Sequence, residues 1–289
     1  MKLCLRCTAT FSGAGWRCPS CGGSPAEKDG FPAFAPELAA DAGFKDALFD
    51  ELAQLEAKNF WFRSRNRLIQ WSLRRHFPRA QNFLEVGCGT GFVLSGLASA
   101  FPRLKLGGSE ISSVGLAHAA RRVPGAELCQ MDARAIPFAD EFDVLGAFDV
   151  LEHIHEDEAV LRQMYRAVRP GGGMLLTVPQ HDFLWSRTDE QACHVRRYAA
   201  RDLTAKVDAA GFRVERMTSF VSLLLPLMMA SRARQPAADS EYDPLAELRI
   251  GGFANALLGK IMDAERLAIR AGLNFPAGGS LLLVLRKSS

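Results

Sequence analysis

Residues 82–91 read Asn82-Phe-Leu-Glu-Val-Gly-Cys-Gly-Thr-Gly91, an apolar run closed by an acidic residue and three glycines at alternate positions. Phe83, Leu84 and Val86 suit a buried strand. Glycines directly after it let the backbone turn sharply and approach a ligand that side chains would exclude. A dinucleotide fingerprint spaces its glycines G-x-G-x-x-G, which would put the third at position 92, and the chain has Phe92 there. The spacing therefore argues for a ligand-binding turn and against NAD.

Downstream, Leu104 to Ser109 leads into Glu110, nineteen residues past Gly91. This is where the second strand of a doubly wound sheet ends and where a carboxylate accepts two ribose hydroxyls. Ala126 to Met131 predicts a third strand, followed by Asp132-Ala133, and Phe142 to Phe148 a fourth. After the fourth comes Asp149-Val-Leu-Glu-His-Ile154. In open α/β sheets the ligand crevice lies outside the carboxyl ends of the strands, so Asp149, Glu152 and His153 fall where chemistry can occur. A helix over Glu158–Val168 is stopped by Pro170 and the glycines after it, and Met174–Val178 makes a fifth strand. Helix Ala200–Ala210 leads through Gly211 into a sixth near Phe212–Met217, and Ser280–Leu285 is the seventh.

The run Glu85 to Gly91 resembles the first motif of class I S-adenosylmethionine-dependent methyltransferases, and the later segments resemble that family in order. The resemblance implies an α/β fold over residues 81–289: a doubly wound, seven-stranded Rossmann-like sheet whose last strand is antiparallel. It implies S-adenosylmethionine as cofactor, held by Glu85, Gly87, Gly89, Gly91, Glu110, Asp132, Ala133 and Asp149, with Asp132 accepting from the adenine amino group. Asp149 to Ile154 resembles the fourth motif of small-molecule and lipid-directed subfamilies, and Arg169-Pro-Gly-Gly the family's structural turn beside the cofactor. Asp149-x-x-Glu152-His153 also resembles the set that holds Mg²⁺ in some quinone-precursor O-methyltransferases, which more often carry Glu at the first position. A hydroxyl acceptor gains from a base, and His153 is the first candidate, with His181 and His194 behind it.

The first thirty residues differ in kind. Cys4-x-x-Cys7 and Cys18-x-x-Cys21 form two knuckles suited to one tetrahedral Zn²⁺ held by four thiolates. Sulfur at every position leaves none for water, so the zinc is structural. A segment this short builds no core of its own, and metal binding drives its folding. No signal peptide precedes Cys4, and Cys88, Cys129 and Cys193 are scattered singly, which fits a reducing cytoplasm rather than disulfides.

A linker at Gly30–Pro36 and a helical region from about Phe44 to Phe77 complete residues 31–80. Within it, Phe60-Trp-Phe-Arg-Ser-Arg-Asn-Arg67 predicts Phe60, Trp61 and Leu68 on one face over the cofactor pocket, with Arg63 meeting the cofactor's carboxylate. Gln180 to Trp185 and His194-Val-Arg-Arg-Tyr198 predict a substrate wall. A helical insertion at about 220–275 contains Phe220–Met229, too short to span a bilayer but able to line an apolar acceptor pocket or touch a membrane surface. Arg234 to Pro244 reads as a surface loop.

At 289 residues, 48% hydrophobic and net +3, the chain suits one large core with a small satellite. No run reaches the roughly 18 apolar residues of a spanning helix. Three functions compete. The leading one is methyl transfer to a small-molecule or lipid-linked acceptor. The second is an RNA methyltransferase gripping its substrate with the zinc ribbon, although residues 1–30 carry only Lys2, Arg6, Arg17 and Lys28 against Glu27 and Asp29. Nucleic-acid grips are usually more basic. The third, a non-catalytic scaffold, is disfavoured by the intact glycines and acids.

Overall fold

A computed structural model describes residues 1–39, 47–232, 245 and 248–288. Four short strands open the chain: β1 (Lys2–Leu3), β2 (Thr10–Phe11), β3 (Ala26–Lys28) and β4 (Phe31–Ala33). Helices α1 (Ala47–Leu55) and α2 (Phe60–His76) follow. The main alternation is β5 (Asn82–Val86), α3 (Phe92–Ala100), β6 (Lys105–Glu110), α4 (Ser113–Arg122), β7 (Glu127–Gln130), β8 (Phe142–Phe148), α5 (Asp157–Ala167) and β9 (Val168–Pro179). The chain ends with α6 (Arg187–Gln191), α7 (Ala200–Ala209), β10 (Phe212–Phe220), α8 (Leu225–Arg232), α9 (Gly252–Arg270) and β11 (Ser280–Lys287).

The sheet has nine strands, ordered β10-β11-β9-β8-β5-β6-β7-β4-β3, not seven. Strands β5 to β11 make the expected seven, with β11 antiparallel to both its neighbours. The two additional strands come from the amino-terminal region. Ala33 pairs in parallel with Gln130 of β7, and β3 completes a hairpin with β4. The segment expected as a linker is therefore a strand that continues the sheet. The Gln130 side chain fixes it, accepting from the Ala35 amide (3.0 Å) and donating to the Ala35 carbonyl (2.6 Å).

Burial on both faces explains the apolar central strands. Phe83, Val144 and Leu175 point to a core shared with α2, α3 and α4, which contribute Ile69, Leu94, Leu97 and Leu116. Leu84, Leu145 and Leu176 point the other way, onto Val160, Leu161, Leu203 and Val207 of α5 and α7. The glycines after Pro170 do not form a turn between helix and strand. Strand β9 starts at Val168, and its register against β8 is irregular between Phe142 and Val144. At Gly173 a Cβ would lie 2.1 Å from the Leu285 carbonyl oxygen, so close strand approach excludes a side chain there.

The helical region before β5 is two helices. Asn59 caps α2 by accepting from the Trp61 amide (2.8 Å). The insertion after β10 lies on α2: the Phe60 amide donates to Asn255 (2.7 Å), and Arg67 meets Asp263 (2.9 Å). Glu265 of α9 accepts from the Val221, Ser222 and Leu223 amides, holding the bend after β10. Phe60 and Leu68 pack toward this insertion, whereas Trp61 and Phe62 face the cavity described below. Phe44 and the Arg234–Pro244 loop lie outside the described residues. Among those described, no helix is long and apolar enough to cross a membrane.

Candidate functional site

At the carboxyl ends of β5, β6, β7 and β8 lies a cavity of about 600 Å³, within the range of small-molecule sites. It opens where the chain order reverses, with β6 on one side of β5 and β8 on the other. The glycine turn forms its floor. Gly91 has φ +75° and sits where a Cβ would lie 2.8 Å from the Ala119 backbone, so helix α4 comes too close for any side chain. Gly89, also left-handed, has open space where its Cβ would be, and its N–H donates to Glu110 Oε2 (2.9 Å). Thr90 and Arg122 tie the turn to Glu56, so α1 covers the cavity beside Phe49 and Leu52.

The carboxylates around the floor differ in environment. Glu110 is raised by burial, against hydrogen bonds from the Gly89, Ser112 and Ile111 amides. Burial raises Glu85 well above the usual carboxylate range despite Arg65. Asp132 lines the wall with Ala133, but its carboxylate is engaged by the Arg134 side chain (2.9 Å) and amide (2.8 Å). Asp149, in the left-handed region at φ +60°, forms an ion pair with Arg65 and accepts from Thr177 (3.3 Å). Arg65 also stacks over Trp61, 4.4 Å from its ring centroid.

Arg63, expected to meet the cofactor, does not line the cavity and lies beside Gly259 of α9. Arg65, two residues on and on a different face of α2, lines the cavity instead. The sequence signal was present in the aromatic and arginine run, but the helix register decided which arginine faces inward.

A second group of side chains lines the same cavity beyond Asp149. His153 and His194 stand edge to face, 4.8 Å between ring centroids, and both border the cavity. Burial first, and then His194, lower His153 to about 4, so the imidazole is neutral at neutral pH. Glu152 is fully buried, and among the described residues neither of its carboxylate oxygens has a hydrogen-bond partner. Burial and Asp149 raise it well above the carboxylate range. His194 Nε2 is 4.0 Å from Glu152 Oε1, while its Nδ1 is 2.8 Å from Asp189 Oδ1. Arg197 clamps both oxygens of Asp189 (2.9 and 3.1 Å). Burial pushes Asp189 up, but the His194 and Arg197 contacts prevail and hold it at about 2.

His181 does not join this wall. It has φ +66°, stacks on Phe183 at 4.9 Å, and lies outside the cavity lining. Its expected place as a base is not supported by position. The set Asp149, Glu152 and His153 is not assembled either, because Asp149 is taken by Arg65 and Thr177. Asp189 was missed in the sequence, although it sits five residues before His194.

The four amino-terminal cysteines converge, their sulfurs all within 4.8 Å of one another. The Cys4–Cys21 and Cys7–Cys18 separations are 3.6 and 3.7 Å, close to the edge of a tetrahedron with Zn–S bonds of about 2.3 Å and far from a disulfide bond. Leu3 N–H donates to the Pro137 carbonyl (2.9 Å), and Trp16 packs on Phe34 and Phe138, so this module is fastened to the sheet's added edge.

The sheet order and the cavity at its reversal define the Rossmann-like fold of class I methyltransferases. Residues 83–172 match the family model described as a methyltransferase domain. A probable S-adenosylmethionine-dependent methyltransferase of Mycolicibacterium smegmatis is 30% identical over 164 residues, 56% of this chain and 62% of the relative. A trans-aconitate 2-methyltransferase of Paracidovorax citrulli is 28% identical over 154 residues, 51% of this chain and 57% of the relative. The chain thus spans less than two thirds of these relatives. Haemonchus contortus phosphoethanolamine N-methyltransferase 2, solved with S-adenosyl-L-methionine, superposes with a TM-score of 0.58 at 20% identity, covering 88% of this chain and 60% of that one.

Proposed function

We propose that this protein binds S-adenosylmethionine in the cavity at the sheet's carboxyl edge and transfers its methyl group to a small-molecule or lipid-linked acceptor. One observation carries the reading: a single cavity gathers the glycine turn, Glu110, Asp132, Asp149, His153 and His194. On this reading Glu110 accepts the ribose hydroxyls, Asp132 and Ala133 border the adenine, and the Arg65–Asp149 pair faces the amino-acid end. Glu85 lines the same cavity beneath the cofactor's expected place. When bound, the cofactor supplies a sulfonium-activated methyl carbon. The protein's part is to align a nucleophile with the carbon–sulfur bond and exclude water. His153, which borders the cavity with His194 beside it, is the candidate proton acceptor for a hydroxyl.

The acceptor class rests on the apolar surface after β10, where Leu223, Leu227 and Met229 are about half exposed. The small-molecule substrate of the trans-aconitate relative agrees with it. The amino-terminal module is read as a structural zinc site rather than an RNA grip. Lys2, one of its few cations, is turned onto the Gly13 and Gly15 carbonyls.

Calorimetry with the methyl donor and its demethylated product tests the cofactor site, and no heat from folded protein would remove the proposal. Labelled cofactor offered with separate lipid, quinone-precursor and RNA extracts identifies the acceptor pool. Label appearing in RNA alone would reverse the acceptor assignment. For His153→Ala, unchanged turnover at saturating acceptor would exclude the imidazole as base.

A further inference from the structure

We infer that Glu152, His153 and His194 form a binding site for one divalent transition-metal ion on the acceptor wall of the cavity. This deepens the proposed function, since it names what that wall holds. One potential ligand atom from each residue lies within 4.8 Å of the others, so rotations moving them by about an ångström bring them to one ion.

Three features set this group apart from a chance cluster. First, Glu152 is a fully buried carboxylate with both oxygens unpartnered among the described residues, an arrangement that costs several kcal/mol unless a cation or proton completes it. Second, the nearby cations are already committed. Arg65 is paired with Asp149 and Arg197 with Asp189, which leaves Glu152 without an arginine partner of its own. Third, His194 is held as a metal-binding histidine is held. Its Nδ1 faces Asp189 at 2.8 Å, a contact that fixes the proton on Nδ1 and turns the Nε2 lone pair toward Glu152. A carboxylate on the far nitrogen is the usual support for an imidazole ligand, and Arg197 in turn anchors that carboxylate.

Two imidazoles and one carboxylate select a first-row transition ion rather than Mg²⁺, which prefers oxygen ligands. This donor set is not the Asp149, Glu152 and His153 series expected from sequence. His194 arrives from a loop beyond β9, and Asp149 is elsewhere engaged. Bound there, the ion supplies a Lewis acid for an acceptor oxygen, and His153 then serves as ligand rather than base.

The test is titration of Co²⁺ into the full chain with its cysteine module loaded with Zn²⁺, followed by visible ligand-field absorption. One equivalent is expected to bind without a thiolate charge-transfer band. Glu152→Gln and His194→Gln, each verified as folded by circular dichroism, should weaken binding at least about tenfold. His181→Gln, outside the cluster, should bind like the parent. Failure of the parent to take up a second ion, uptake showing thiolate absorption, or unaltered binding in both cluster variants overturns the site. The titration contains neither cofactor nor acceptor. Loss of the metal site with cofactor heat retained overturns this inference alone, whereas loss of cofactor heat strikes the methyltransferase reading.

Discussion

Arg65 and Asp149, 84 positions apart in the chain, meet as an ion pair at the edge of the cavity, with side chains only 10% and 18% exposed. This contact joins α2 to the end of β8 and fixes the wall on which the cofactor's amino-acid end is proposed to lie.

Removing one partner of such a pair leaves a largely buried charge. Arg65→Met is expected to lower stability by about 3 kcal/mol. The double variant Arg65→Met/Asp149→Asn should regain most of that loss, because it leaves no unpaired buried charge and Asn tolerates the left-handed backbone at this position. Cofactor affinity should remain depressed in both. Chemical denaturation and calorimetry give the two readouts, and full-strength cofactor binding by the double variant would release the pair from its assigned place.

Glu110→Ala removes the proposed ribose acceptor together with the partner of the Gly89 amide. Losing charge-assisted hydrogen bonds of about 1.5–3 kcal/mol each should weaken binding of the demethylated cofactor at least tenfold. Isothermal titration measures it. A change of less than about twofold would place the ribose elsewhere.

Gly91→Ala sets a side chain in the left-handed region and drives its Cβ to 2.8 Å from the Ala119 backbone. Strain and overpacking together should cost about 3 kcal/mol. Gly125→Ala, with open space around its Cβ and no left-handed φ, is the control and should be near neutral.

Cys4→Ser should abolish stoichiometric zinc, read by metal analysis after exhaustive dialysis. Without the metal, the β1–β2 module should open first and expose Trp16, shifting its fluorescence. Hydrogen exchange in β3 and β4 should then rise, since these strands are continuous with the module. Zinc retained at one equivalent would exclude the four-thiolate site.

Acid stability should report Asp157, which is buried beneath Lys206, Arg196 and the Tyr198 hydroxyl. Burial raises its carboxyl, but the Lys206, Tyr198 and Arg196 contacts together hold it below the usual range. A depressed folded value means the stabilisation is complete above the unfolded value near 3.9 and is lost as pH falls below it. Because Arg196 and Lys206 are about a quarter exposed, Asp157→Asn is expected to cost about 2 kcal/mol at neutral pH. The variant should also have a shallower stability decline below pH 4. An unchanged acid limb in denaturation curves would remove Asp157 as a contributor.

The chain's own pattern determined the alternation of strands and helices, the glycine turn after β5 and the acids after β6 and β8. Those features follow from local rules: buried strands are apolar, tight turns need glycine, and ligands gather at carboxyl ends. The cysteine knuckles were equally legible, because their spacing is itself the geometry. Sheet width was not, because β4 joins β7 through a pairing across about a hundred residues that leaves no periodic trace in so short a strand. Nor was the choice of Arg65 over Arg63, which depends on the rotation of α2 against the sheet. The same holds for the grouping of Glu152 and His153 with His194, and for His181 turning away onto Phe183. Burial and side-chain direction at such positions are set by long-range packing, and only the folded chain brings those atoms within reach of one another.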